Sequence, residues 1–468
     1  MHTIWQSWGV AAAVPLGVVT LAFSPVDAVA LAAVSVSGVP VPMVAQGLYL
    51  RGTKIGSYTD DDTAFVQFAN TVLANTFGGT VLTVDEGDDP YSGDEVEYAG
   101  DFWPFSYGGL GDITYGASVA QGVQRLGERI RRERNEEAAN GTAPNDDTIV
   151  VYGYSQSAVI VGQYKASRQD PGIAYVLQSN PARPNGGILS RFQGFTIPIL
   201  DIPLSGPTPT TSLGWNGEDV TTYDVSRQYD GWSDFPRYPQ NLLADLNALA
   251  GMLYLHGSYE YEVPETAFAE DAVDTDVRRY GDTEYHTIGT DLLPMLRPLE
   301  QIGIPRPLLL ALDAPLRVIV EKGYDRARSP GEMASAALRM PDPLGGLADV
   351  LRAVPVGIDD GLQASGLGRP LRTKAAGMYG VGGPIKPAPV DVGPAPSEQR
   401  SEQPGPTFRP DPVARRDGRR ERSTDVAAAA DRHTGPTRSG RDAESGVESA
   451  RTTMTQHEAP PAGIEPAT

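Results

Sequence analysis

A serine within a short run of small residues is the feature of this sequence most able to do chemistry. The motif Gly153-Tyr154-Ser155-Gln156-Ser157 follows the apolar run 148–152 and opens a helix-compatible stretch that extends to Arg168. A serine at such a strand-to-helix turn is held exposed on a strained backbone, beside a helix N-terminus that stabilises developing negative charge. The spacing therefore predicts a nucleophile elbow with Ser155 as the nucleophile.

The final position of the motif departs from the usual pattern. Nucleophile elbows are commonly G-x-S-x-G, and here Ser157 stands in place of the second glycine. Serine is small enough to fit, but a short pattern with a loose end also occurs at structural corners. The choice between a nucleophile and a structural turn therefore depends on the partners that the sequence offers.

A reactive serine needs a base, and the sequence offers two candidates for it. Three of the five histidines lie in the leader or in the polar tail, namely His2, His433 and His457. His256 ends the apolar periodic stretch 241–255 and precedes a glycine, at a helix-to-loop junction of the kind where catalytic side chains concentrate. His286 lies in the strand-like segment 283–288, which is more typical of a structural histidine. The sequence favours His256, with His286 as the alternative.

The acid that orients the histidine is expected between the serine and the histidine, which is the chain order of α/β-hydrolases. The strand-like segment 220–225 runs into a turn that contains Asp230, followed by a glycine. Asp230 is the first choice, and Asp234 is a close rival. Asp224 is weaker, because aspartates near turns often bond to their own backbone.

Two backbone amides are expected to stabilise an oxyanion. The residue after the nucleophile, Gln156, supplies the first. The strand-like residues 47–50 lead into Arg51-Gly52-Thr53, so the Thr53 amide is the candidate for the second. The alternative is that Gly52 marks an ordinary turn.

Several further segments, in one order along residues 47–324, carry a family resemblance. Together with the elbow they are 121–123, 180–187, 229–236, 243–248, 256–257 and 292–296. In these segments the chain resembles the PE-PPE domain family, which comprises cutinase-like serine hydrolases of actinobacteria. The resemblance implies that G-x-S-x-S is an accepted form of the elbow. It also implies a triad of Ser155, Asp230 and His256, and an aromatic residue in relatives where this chain has His286.

The resemblance further implies an exported enzyme that needs no metal or organic cofactor. Its substrates would be lipid or short to medium acyl esters of the cell envelope. No PE or PPE module is recognised in the sequence, so the likeness is to the stand-alone branch of the family.

The two ends of the sequence predict segments outside the hydrolase domain. The apolar stretch 9–23 and the small-x-small site Ala28-Val29-Ala30 predict a signal peptide over residues 1–30, and hence a secreted or envelope protein. Because no lysine or arginine precedes this stretch, an uncleaved anchor is the alternative. Residues 381–468 are rich in Pro, Ser, Arg, Glu and Ala without periodicity, which predicts a disordered tail. Residues 31–370 are therefore predicted to form the hydrolase domain.

Composition excludes several other chemistries and partners. The chain has no cysteine, so neither a disulfide nor a thiolate nucleophile is available. Its formal net charge of −21 argues against nucleic acid and against attraction to anionic lipid headgroups. A neutral acyl substrate is compatible with that charge.

The alternation of strand-like and helix-like segments predicts an α/β fold of the α/β-hydrolase type, with a mostly parallel sheet covered on both faces. One helix is expected to begin at Ser118, with Gln121 completing a capping box. The apolar, proline-interrupted region 291–367 is either helical core or a lid-like region. In the second case it would form an acyl-binding wall together with four aromatic residues, Phe102, Trp103, Phe105 and Trp232.

The function predicted from the sequence is an exported serine esterase or lipase that acts through an acyl-enzyme on Ser155. One alternative is an acyltransferase that uses the same intermediate with a trehalose-type glycolipid acceptor. The other is a non-catalytic surface protein that keeps the fold.

Overall fold

The computed structural model of the chain describes residues 44–55, 63–78, 82–83, 94–139, 148–167, 171–212, 216–269, 272–338 and 343–384. The predicted signal peptide and all of the predicted tail beyond residue 384 lie outside these ranges. Within the described ranges, no helix has both the length and the apolarity that crossing a membrane requires.

Strands and helices alternate along most of the described chain. The strands are β1 (Val44–Leu50), β2 (Thr148–Tyr154), β3 (Ile173–Gln178), β4 (Thr196–Ile197), β5 (Ile202–Pro203), β6 (Thr222–Arg227), β7 (Thr275–Tyr280) and β8 (Thr283–Ile288). The helices are α1 (Thr63–Thr76), α2 (Tyr115–Ala139), α3 (Gln156–Ser167), α4 (Ile188–Arg191), α5 (Leu242–Tyr254), α6 (Tyr259–Glu262), α7 (Arg297–Gln301), α8 (Arg306–Glu321) and α9 (Pro343–Ala364).

One central sheet of the described residues has the strand order β1-β2-β3-β6-β8-β7. Every neighbouring pair is parallel except β7 and β8, which form an antiparallel hairpin at one edge. The short strands β4 and β5 pair separately. The predicted α/β fold with a mostly parallel sheet is confirmed.

Both faces of the sheet are covered, and the strand sequences show why. In β2, Ile149 and Val151 belong to a hydrophobic cluster with α2 and α3, whereas Val150 and Tyr152 belong to a second cluster with α1. Successive side chains of a strand point to opposite faces, so a strand with helices on both sides is apolar at nearly every position. The run that precedes the elbow is therefore a buried central strand.

Helix α2 begins at Tyr115, three residues before the predicted start. The hydroxyl oxygen of Thr114 accepts a hydrogen bond from a first-turn amide at 3.3 Å, which is the contact of a capping side chain. Ser118 lies inside the helix and is buried, and Gln121 binds the Ala99 amide instead of closing a capping box. The predicted capping box was wrong because the sequence offers two hydroxyl residues close together, and the earlier one caps the helix.

The helices in the described part of 291–367 contribute to the hydrophobic core. Leu292, Leu293 and Leu296 pack with residues of α5 and α8 in a third hydrophobic cluster. Helix α9 packs on α8 in a fourth cluster. These helices extend the hydrophobic core next to the buried face of α5.

A buried ion pair ties the helix that follows the elbow to distant parts of the sheet. The Lys165 ammonium group, near the end of α3, donates to the Asp282 carboxylate at 2.9 Å and to the Thr222 hydroxyl at 2.8 Å. Both charged side chains are almost fully excluded from solvent. Burial lowers the pKa of Lys165, and the charge of Asp282 opposes that shift. The pair thus links α3 to β6 and to the turn between β7 and β8.

We expect Lys165→Met to lower the free energy of unfolding by about 3–5 kcal/mol, because it leaves the Asp282 carboxylate buried without its cation. Urea unfolding measures this loss. The matched control is Lys322→Met, which breaks a longer, partly exposed pair with Asp349 (3.5 Å) and should cost at most about 1 kcal/mol. Equal losses for the two variants would contradict the assignment.

Candidate active site

Ser155 occupies a strained turn between β2 and α3. Its φ is 60°, in the left-handed region that residues other than glycine rarely adopt. A side chain at Gly153 would place its Cβ 2.7 Å from the carbonyl oxygen of Ser157 and 2.8 Å from Val161, so only glycine fits there. The backbone therefore has the geometry that the elbow motif predicts.

Ser157 has a structural role that explains the departure from G-x-S-x-G. Its hydroxyl is buried, accepts a hydrogen bond from the Tyr154 amide at 2.7 Å and lies 2.7 Å from the carbonyl oxygen of Leu50, to which it donates. Leu50 is the last residue of β1. The hydroxyl thus joins the end of β1 to the elbow, a link that a glycine cannot make.

The structure brings Ser155, His256 and Asp230 together. The Nε2 atom of His256 lies 2.7 Å from the Ser155 hydroxyl, and the Nδ1 atom lies 3.1 Å from each carboxylate oxygen of Asp230. His256 opens a single 3₁₀ turn directly after α5, and Asp230 follows the end of β6. This is the arrangement in which a carboxylate orients an imidazole and the imidazole receives the proton of a serine.

Donors surround the Asp230 carboxylate, which is fully buried. The Tyr259 hydroxyl donates to it at 2.9 Å, the Trp232 amide donates at 3.1 Å, and the Ser179 hydroxyl donates to it as well. Burial alone raises the pKa of Asp230, but the charge of His256 and the side-chain hydrogen bonds lower it by more, so the net pKa lies below the ordinary value. The carboxylate is therefore ionised where it meets the imidazole.

Ser179 is a contact of this site that the sequence analysis missed. Its hydroxyl donates to Asp230 and lies 2.8 Å from His256 Nδ1, so that it touches both members of the pair. It follows β3 directly, has a φ of 51°, and its amide donates to the carbonyl of Val225 on β6. Its position at the carboxyl end of a parallel strand was the available signal, since such ends gather at one edge of a sheet.

The rival acids are engaged elsewhere. Both carboxylate oxygens of Asp234 bind the guanidinium of Arg326, at 2.7 and 2.9 Å. Asp224 is buried against Arg183, with a nearest separation of 3.2 Å. Neither aspartate contacts His256, so Asp230 alone of the three is placed to orient the imidazole.

Two aromatic side chains lie next to the His256 ring. The Tyr154 ring stacks on the imidazole with ring centroids 5.4 Å apart, and the Tyr154 hydroxyl donates to the His256 carbonyl. The centroid of the Trp232 ring lies 5.9 Å from that of the imidazole. His286 is buried on β8, where its Nε2 atom lies 2.8 Å from the Glu284 carboxylate. The structure does not bring His286 to Ser155.

The two predicted oxyanion donors lie beside the nucleophile. Gln156 is the first residue of α3, where helix amides have no acceptor within the helix. Its side chain is bound inside the protein to the Asp101 carbonyl (2.9 Å), so the backbone amide is the group that it can offer. Near Thr53, a Cβ at Gly52 would lie 3.2 Å from the Cβ of Ser155, so this segment passes close to the serine. That the Thr53 amide binds an oxyanion stays a prediction.

Ser155 and His256 line a cavity of about 730 Å³. Much of its wall is aromatic or aliphatic, including Phe65, Phe102, Tyr115, Pro181, Trp232 and Met252. Two of the four expected aromatic residues are therefore in the wall, and Trp103 and Phe105 are not among the described lining residues. No described residue of 291–367 lines it, so the predicted contribution of that region to the wall is not found. Helix α5 contributes Leu249, Met252 and Leu253 to the lining instead.

Comparison with known proteins gives a family and named relatives. The model of the PE-PPE domain matches residues 90–325, about half of the chain. The protein named Esterase PE16 of Mycobacterium tuberculosis is 36% identical over 49% of this chain and 42% of that protein. The protein named SL1278 acyltransferase Chp1 of the same organism is 31% identical over 50% of this chain and 54% of that protein. The chain spans about half the length of the curated relatives it matches.

A solved cutinase-like protein from Cryptococcus sp. is also similar, at 19% identity over 41% of this chain and 80% of that chain. Its TM-score is 0.24, which is too low to support an inference about fold or activity.

We expect Ser157→Gly, which restores the common form of the motif, to destabilise the protein by about 1–3 kcal/mol. The reason is that the Tyr154 amide and the Leu50 carbonyl lose a buried hydrogen-bond partner. Urea unfolding measures the change. Ser167→Gly, at the exposed end of the same helix, is the control and should cost no more than about 1 kcal/mol. A Ser157→Gly protein as stable as the parent would contradict this role.

We expect Ser179→Ala to lower kcat for a chromogenic ester about tenfold or more, through loss of a hydrogen bond to a charged group. Removing the hydrogen bond from Ser179 leaves more negative charge on the Asp230 carboxylate that faces His256. The acid limb of the pH–rate profile, which reports protonation of the catalytic base, is therefore expected to move to higher pH. The control is Ser190→Ala, whose buried hydroxyl has no hydrogen-bond partner among the described residues. A fall in kcat with an unmoved acid limb would mean that Ser179 is only structural.

Proposed function

The chain belongs to the PE-PPE domain family, and from that premise we propose that it is a serine esterase that cleaves acyl esters through an acyl-enzyme on Ser155. One observation carries the proposal. An unbroken series of contacts runs from the Ser155 hydroxyl through His256 to a buried, ionised Asp230, at the wall of an apolar cavity. A structural corner needs none of these contacts.

The proposed reaction begins when the ester carbonyl lies against the Ser155 hydroxyl. The oxygen attacks the carbonyl carbon as its proton passes to His256 Nε2, and the amides of Gln156 and Thr53 bind the oxyanion. Collapse of the intermediate breaks the ester bond, and the leaving alcohol takes the proton from His256. Water then attacks the acyl-enzyme with the same imidazole as base, which releases the acid and restores Ser155.

Asp230 keeps the imidazole productive throughout this cycle. It accepts a hydrogen bond from Nδ1–H, which leaves Nε2 free to take the serine proton and stabilises the imidazolium that results. The donors around the carboxylate keep it ionised despite its burial. Asp230→Asn is therefore expected to reduce kcat by about 10³-fold or more.

The lining of the cavity supports an acyl chain as the group that is bound. Its volume is typical of a small-molecule site, and its aromatic and leucine side chains favour a hydrocarbon over a charged ligand. A lipid or medium-length acyl ester is accordingly the proposed substrate class. We also propose that the N-terminal segment directs export, so that the protein acts at the cell envelope or outside the cell.

A second candidate function is acyl transfer to a sugar hydroxyl. It is favoured by the similarity to a relative whose name is that of an acyltransferase, alongside the one named as an esterase. Both activities share the acyl-enzyme and differ in whether water or an acceptor hydroxyl attacks it. The same residues serve either outcome, so product analysis has to separate them.

The test is an ester series of short, medium and long acyl chains, with the products identified by mass spectrometry in the presence and absence of trehalose. Free acid as the main product supports the esterase. Predominant transfer to the sugar would overturn it in favour of the acyltransferase.

Three variants assign the residues in the same assay. Ser155→Ala and His256→Ala are expected to reduce kcat/KM by about 10³-fold or more, whereas His286→Ala should stay within about threefold of the parent. Loss of turnover in His286→Ala with activity kept in His256→Ala would show that the base is misassigned. A parent protein with no turnover of any ester would favour a non-catalytic surface protein.

A further inference from the structure

Helix α5 presents leucines to solvent along its whole length. Leu242, Leu246, Leu249 and Leu253 are 76%, 55%, 52% and 81% exposed. Spacings of four, three and four residues place them on one face, which we call the α5 leucine stripe. The opposite face packs into the core through Ala244, Asn247, Ala248 and Gly251. A helix at a protein surface ordinarily has polar residues on its outer face, so this exposed apolar stripe indicates an interaction site.

The α5 leucine stripe is continuous with the active-site cavity. Leu249 and Leu253 line the cavity that holds Ser155, whereas Leu242 and Leu246 are not among its lining residues. At the rise of an α-helix, the stripe extends for about 16 Å. An apolar track therefore leads along the protein surface to the opening that the substrate has to enter.

Other segments bring exposed apolar side chains to the same opening. Ile55, in the loop after β1, and Tyr261, on α6, both line the cavity and are 53% and 74% exposed. Phe105 is 59% exposed and packs on the cavity residue Phe102, with ring centroids 5.5 Å apart. We call Ile55, Tyr261 and Phe105 the cavity rim. Two of these side chains line the cavity and the third packs on a lining residue, and such exposure of apolar groups from separate segments is typical of an interaction site.

We propose that the α5 leucine stripe and the cavity rim dock the protein onto an uncharged or zwitterionic lipid surface, from which an acyl chain passes into the cavity. The proposal rests on the proposed function in taking the cavity as the acyl site. A lipid surface is the partner we infer because Leu249 and Leu253 belong to the exposed stripe and also line the cavity. A protein seated on them would cover the opening, whereas a lipid surface delivers the substrate to it.

The charges of the molecule select the kind of lipid. The net charge of the chain is −21, and α5 carries Asp245 but no lysine or arginine. Anionic headgroups bind through clusters of basic residues, so anionic lipid should not strengthen the contact. The protein would therefore be held at a neutral lipid surface by contact of the leucine side chains with hydrocarbon.

A second exposed apolar face, on α9, provides a matched control. Leu347 and Leu351 are 62% and 66% exposed, but no described residue of α9 lines the cavity. If exposure of leucine alone produced lipid binding, both helices would contribute. If continuity with the cavity is what matters, only α5 will.

The experiment measures flotation of the full chain with phosphatidylcholine vesicles, in the Ser155→Ala background so that no substrate is consumed. We expect this parent to float with the vesicles. Adding Leu242→Asp and Leu246→Asp should reduce the bound fraction at least tenfold, and adding Leu347→Asp and Leu351→Asp instead should leave it unchanged. Thermal unfolding checks that each variant is folded, and Leu242→Gln with Leu246→Gln replaces the aspartate pair should that pair unfold.

Several results would overturn the proposal. These are absence of flotation in the parent, equal losses for the α5 and α9 pairs, or binding only after anionic phosphatidylserine is added. Sedimentation as a dimer that the α5 pair dissociates would assign the stripe to a second copy of the chain. Because flotation is measured without the nucleophile, its failure leaves the esterase proposal standing, and absence of ester turnover does not affect the flotation result.

Discussion

The hydrogen bond between His256 Nε2 and the Ser155 hydroxyl, 2.7 Å long, is the contact on which the proposed activity depends. The serine comes from the end of β2, its partner acid follows β6, and Ser179 follows β3, which lies between them. These three strands are parallel neighbours, so their carboxyl ends share one edge of the sheet. The sheet thereby positions Ser155, Ser179 and Asp230, whereas His256 is positioned by the end of α5.

The surroundings of the acid decide which aspartate performs this task. Asp230 is buried among neutral donors and the imidazole, so its charge is available to orient His256. Asp234, four residues later, is equally withdrawn from solvent but is neutralised by the two-point contact with Arg326. A buried carboxylate that is matched by arginine holds the fold together, and one that is matched by an imidazole can support proton transfer.

Local patterns were sufficient for much of this site. The apolar run before Gly153 predicted a central strand, the small residues around Ser155 predicted its strained turn, and the end of the helical stretch 241–255 predicted the place of His256. Each of these signals is contained in a few consecutive residues, so the sequence displays it directly.

The features that the sequence did not reveal depend on distant residues. The sequence ranked Asp230 only narrowly above Asp234, and the contact that excludes Asp234 is with Arg326, 92 residues further along the chain. Ser179 has no local signature that separates it from any serine after a strand. Apolar periodicity in 291–367 was compatible with helical core or with a lid-like region, and it could not show what those helices face. They pack behind α5, and it is α5 that reaches the cavity.

The most direct test of the central claim is the rate at which a fluorophosphonate modifies the protein, with the modified residue located by mass spectrometry. The account predicts a single adduct on Ser155 whose formation slows by about 10³-fold or more in His256→Ala, because the hydroxyl then lacks its base. An adduct on another residue, or an equal rate in the two proteins, would contradict it.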